Sequence, residues 1–88
     1  MNQQPFRRTG FVGIILEDRE RLHTQVNELL ASVHGLIVAR LGLPACTGGS
    51  AVITLVVSAT PDELGAFTGR LGQIQGVTVK SALAPLRG

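Results

Sequence analysis

The chain has 88 residues, 44% of them hydrophobic and 16% charged, with three Phe, no Trp or Tyr, and a formal net charge of +2. That length suits one domain and excludes two; so small a domain buries about 60–65% of its unfolded surface and often gains stability from a partner subunit. Eight basic residues against six acidic ones, with Arg7-Arg8 the only basic pair outside a mixed run and little to stack on bases, argue against direct nucleic-acid binding.

Residues 1–8, "MNQQPFRR", have no apolar core of signal-peptide length. They are expected to form a disordered N-terminal segment before a domain over 9–84, with 85–88 as a loose tail. "TGFVGIILE" is rich in branched apolar residues and predicts a first strand over 9–17. In "DRERLHTQVNELLASVHG" the period changes. Leu22, Val26, Leu29, Leu30 and Val33 make one helical stripe, with Asp18 as N-cap and Gly35 as the stop. "LIVARLGLP" predicts a second strand ended by Pro44. Its residues Ile37, Ala39, Leu41 and Leu43 alternate with Leu36, Val38, Arg40 and Gly42. "ACTGGS" is a turn with Gly48-Gly49 at its tip, and it closes a hairpin onto a third strand, "AVITLVVSA". "TPDE" opens a second helix. Thr60 caps, Pro61 suits the first helical position, and Glu63 completes a capping box. Leu64, Phe67, Leu71 and Ile74 mark its apolar face, and "GVTVKSALA" is the fourth strand. The order β-α-β-β-α-β predicts an α+β, ferredoxin-like fold: a four-stranded antiparallel sheet with two helices on one face.

The stretch "GAFTGRLGQIQGVTVK" holds Gly65, Gly69, Gly72 and Gly76. A phosphate-cradling loop follows a strand and opens a helix. These glycines lie in and after a helix, so they are expected to thin its flank for close packing, with Gly76 ending it in a left-handed turn.

No constellation of catalytic residues stands out. Glu17-Asp18 and Asp62-Glu63 sit at helix starts, where capping and the helix dipole explain them. His23 and His34 lie on one helix about 16 Å apart by rise, too far to share an ion within a subunit. Cys46 is separated from His34 by a strand, so a metal site using these three would have to be completed between subunits. We therefore expect no catalytic residues, no resident metal and no cofactor. A single cysteine excludes an internal disulfide and fits a reducing cytoplasm; no apolar run approaches the ~20 residues of a membrane helix. A cytoplasmic protein with no membrane contact is expected.

The sheet's open face is more informative. In the third strand Ala51, Ile53, Leu55, Val57 and Ala59 are the richer apolar set and should face the helices. Val52, Thr54, Val56 and Ser58 would then face outward, joined from the second strand by Leu36, Val38 and Arg40. Such a half-apolar face is expected to pack on another subunit, with Val38, Arg40, Val52, Thr54 and Val56 at the interface.

"LEDRERLHTQVNELL", "ARLGLP" and "GAFTGRLGQIQGVTVK" together carry a resemblance over residues 9–82. The most specific pieces are Glu17-Asp18-Arg19 leading into Gln25-Val26-Asn27-Glu28-Leu29-Leu30, and the run from Gly69 to Lys80. The chain resembles the iron-only hydrogenase system regulator family, small bacterial proteins similar to ACT domains and to the C-terminal domain of nickel-responsive regulators. The resemblance implies a regulator of transcription or of the hydrogenase system and not an enzyme. ACT-like domains tend to bind small ligands at subunit interfaces near the loop after the first strand. Carried over, that loop offers Glu17, Asp18 and Arg19, with Arg40 as a further contact. The blander reading is that Asp18 caps the helix while both arginines are solvated or form an interface ion pair. Two departures limit the carry-over. Nickel-responsive regulators place a ribbon-helix-helix segment ahead of this domain, whereas about eight residues precede the first strand here. They also bind nickel through three histidines and one cysteine, whereas this chain has two histidines and one cysteine. The expectation is an oligomeric ligand-sensing module, a homodimer or homotetramer. Its alternatives are a protein-interaction module without a ligand and a metal-responsive sensor completed between subunits.

Overall fold

The computed structural model describes residues 7–85, and its elements follow the predicted order. They are β1 (Arg8–Leu16), α1 (Arg19–Ser32), β2 (Ile37–Leu43), β3 (Ala51–Ala59), α2 (Pro61–Gly72) and β4 (Val77–Leu83). Short 3-10 turns at His34–Leu36 and Thr47–Gly49 flank β2. The four strands form one sheet in the order β2-β3-β1-β4, antiparallel throughout.

Alternation decides which face is covered. Val12, Ile14 and Leu16 of β1 and Ala51, Ile53, Leu55, Val57 and Ala59 of β3 are buried, as their period of two requires. They meet Leu22, Val26 and Leu30 of α1 and Leu64, Phe67 and Leu71 of α2 in a single core. The helix starts are held as their sequences require. Asp18 accepts from the Arg21 amide at 3.4 Å. At α2 the capping box is complete: the Glu63 amide donates to the Thr60 hydroxyl at 3.1 Å, and the Thr60 amide donates to the Glu63 carboxylate at 2.9 Å.

Three expectations are corrected. First, residues 7 and 8 belong to the domain: Arg8 opens β1, and Arg7 donates to the Ser58 carbonyl and pairs with Glu63 at 3.2 Å. The remaining residues of the expected disordered segment, 1–6, and residues 86–88 of the tail lie outside the described residues. Second, α1 stops at Ser32 with Val33 as C-cap, before Gly35, which falls inside a 3-10 turn. Third, the glycines of α2 do not serve close packing. A Cβ at Gly65, Gly69 or Gly72 would meet nothing within 4 Å. The helices stand apart across a groove lined by Gln25, Glu28, Leu29, Arg70, Gln73 and Ile74.

Gly76 is different. Helix α2 has already ended at Gly72, and Gly76 lies in the turn before β4 at a φ of +92°. A Cβ there would press on Arg21, Leu22 and Glu17 at 2.9–3.2 Å. Its carbonyl accepts from the Glu17 amide at 2.9 Å. The turn entering β4 is thereby fastened to the loop that starts α1.

Candidate functional site

The phase of β2 determines where its side chains go. Ile37 pairs with buried Val57, but Ala39 pairs with outward-facing Val56, with a register shift between them at Val38. A bulge adds one residue to one strand and so reverses the faces beyond it. From Ala39 onward the odd-numbered residues point outward. Arg40 sits opposite Leu55 and Gly42 opposite Ile53, on the helix side. The expectation that Leu36 and Arg40 share the open face is therefore overturned. Leu36 is half-buried against the core, and the Arg40 guanidinium donates to Asn27 Oδ1 of α1 at 2.6 Å.

The open face is consequently more apolar than expected. Across the sheet its rows read Ala39-Val56-Phe11-Ala82, Leu41-Thr54-Gly13-Lys80 and Leu43-Val52-Ile15-Thr78. Phe11, Ile15, Leu41 and Leu43 are 54%, 45%, 65% and 53% exposed. Val52, Thr54 and Val56 lie on this face as expected, and Val38 is exposed at the bulge. Phe11 and Ile15 were missed because β1 was read as one apolar run and its alternate residues were not separated. Leu41 and Leu43 were missed because nothing in "LIVARLGLP" marks the bulge.

On the other side of β2 the same bulge opens a cleft of about 250 Å³ between α1 and the strand. Arg19, His23 and Asn27 recur every four residues along α1 and overhang it. Arg40 enters from β2, and Leu16, Ala51 and Ile53 are apolar lining. Gly42 supplies the room: a Cβ there would meet nothing within 4 Å. Of the four residues expected to bind a ligand, Arg19 and Arg40 line this cleft, and Glu17 and Asp18 do not. Asp18 caps α1, and both acidic residues lie near the Arg21 guanidinium at 3.9–4.0 Å. His23 and Asn27 are the additional lining residues; their four-residue spacing after Arg19 was visible, but the side on which Arg40 falls was not.

The three metal-candidate residues stay apart. His23 lines the cleft, the His34 ring lies 3.1 Å from the Ala31 carbonyl, and Cys46 sits by the turn after β2. Among the described residues no group of three or more His, Cys, Asp or Glu could hold a metal ion. No described helix is long and apolar enough to cross a membrane.

This sheet, its two helices and their order define an ACT-like domain of the ferredoxin-like class. The ACT domain of GTP pyrophosphokinase from Chlorobium tepidum has the same fold, with a TM-score of 0.70, 19% identity and 88% of each chain covered. A protein of unknown function from Galdieria sulphuraria superposes at a TM-score of 0.60 with 15% identity, over 93% of this chain and 48% of its own. The TM1266-like family, described as an iron-only hydrogenase system regulator, matches residues 8–81, and the chain belongs to it. The uncharacterized Thermotoga maritima protein TM1266 is 40% identical, with a TM-score of 0.83 over 90% of this chain and 99% of that one. Among curated proteins, none matches this chain.

Proposed function

We propose that this chain is a non-enzymatic regulatory module that self-associates through its open sheet face and responds to a small ligand. The observation that carries this reading is the open face itself. Phe11, Ile15, Leu41, Leu43 and Val56 lie together on one sheet surface, with Lys80 the only charged group in its three central rows. Monomers seldom leave so contiguous an apolar surface in water. A near-neutral apolar sheet suits a second copy of itself in a two-fold pairing, where the same patch serves both subunits. Membership of a family described as an iron-only hydrogenase system regulator supports a role for the module in such a system. Its ligand response would reach that system through a partner protein, which fits the small charge excess of +2.

Native mass spectrometry on untagged protein, purified without chelator, tests the reading. A dimer or tetramer is expected, and extra mass on it would be retained ligand or metal. Val56→Asp and Leu41→Asp each put a charge into the proposed interface and should yield folded monomer, because an unpaired buried charge is costly. Wild-type protein that stays monomeric well above micromolar concentration would end the self-association reading. A clean oligomer with nothing bound would favour an interaction module without a ligand.

A further inference from the structure

The polar groups around the α1–β2 cleft are nearly all donors. Arg19 and Arg40 are donors only, Asn27 brings an amide NH2, and the His23 imidazole carries at least one N–H. The side-chain oxygen of Asn27 is already taken by Arg40 at 2.6 Å, which also holds that guanidinium at the cleft. Among the described residues, the Arg19 side chain makes no hydrogen bond or ion pair and is available. No Asp or Glu lines the cleft, so nothing there would balance a ligand's positive charge. The lining of Leu16, Ala51 and Ile53 asks for an apolar body. The cleft, about 250 Å³, has room for a short branched acid.

We infer that this cleft binds a small organic carboxylate without an ammonium group. The carboxylate lies between the Arg19 and Arg40 guanidiniums, and a compact aliphatic body rests on the Leu16–Ile53 floor. An α-amino acid of the same shape would set its ammonium against two guanidiniums. This assignment rests on the ligand-sensing reading and narrows it to one chemistry.

The test is a backbone amide NMR titration of the full chain with three probes: 2-oxoisovalerate, L-valine and inorganic phosphate. Valine keeps the shape and adds the ammonium, while phosphate keeps the anion and lacks the apolar body. Saturable shifts at His23, Asn27 and Gly42 are expected with 2-oxoisovalerate, at an affinity at least about tenfold above either other probe. Arg40→Gln removes the charge while leaving a donor for Asn27, and should weaken 2-oxoisovalerate binding by at least about tenfold. Gly42→Val fills open space on an edge strand with a residue that strands favour, and should abolish the shifts in a folded protein. The assignment is overturned if valine or phosphate matches 2-oxoisovalerate, if no probe shifts these amides, or if binding survives both substitutions unchanged. Tight binding of valine would remove the ammonium-free class and leave ligand sensing in place. Binding of 2-oxoisovalerate that alters neither melting temperature nor subunit number would remove sensing and leave the class in place.

Discussion

The two faces of this sheet are written in similar residues and meet opposite fates. On β1, Val12, Ile14 and Leu16 are sealed beneath the helices, while their neighbours Phe11 and Ile15 stand about half exposed. Hydrophobicity alone does not separate the two sets. What separates them is that α1 and α2 present Leu22, Val26, Leu30, Leu64, Phe67 and Leu71 to only one side. The covered face makes the fold; the bare one is available to make an assembly.

Charge placed on each face should expose that difference most strongly. Leu55→Asp puts a carboxylate into a position with no exposure and is expected to cost at least about 4 kcal/mol, enough to leave a domain of this size largely unfolded by circular dichroism. Leu41→Asp, on the open face and 65% exposed, should change the stability of the isolated subunit by no more than about 0.5 kcal/mol. Its effect should appear in assembly: the wild-type melting temperature should rise with protein concentration, and that of the variant should not. If Leu41→Asp unfolds the subunit as Leu55→Asp does, the two faces are not distinct in the way described. A gain in stability is expected on the outer side of α2. Gly69→Ala meets open space inside a helix and should stabilise by about 1 kcal/mol in chemical denaturation. A loss of stability instead would mean that this side of α2 is also covered.

Most of the fold was legible because its signals are local. The period of α1, the Thr60–Glu63 box and the alternation of β3 each act within a few residues, and each element formed where they pointed. The candidate site was half legible. Arg19 and Arg40 were singled out, but Arg40 was assigned to the wrong face. A bulge is set by how two strands pair, and Val38 looks like any strand valine until β3 is laid beside it. The α2 glycines misled for a related reason: a small residue permits close approach without causing it, and whether a neighbour comes near is a tertiary fact.

The order β2-β3-β1-β4 also governs when the domain can form. Only β2 and β3 are joined by a short turn; the central strand β1 waits for β3 on one side and for β4 on the other, with Gly10 finally paired to Leu83. Closing such long loops before any contact rewards them makes folding slower than in a helical bundle, in the intermediate range of mixed helix–sheet domains. During synthesis, β1 emerges first among the strands and is completed last. Its apolar residues are then on offer, for that interval, to any other strand edge nearby.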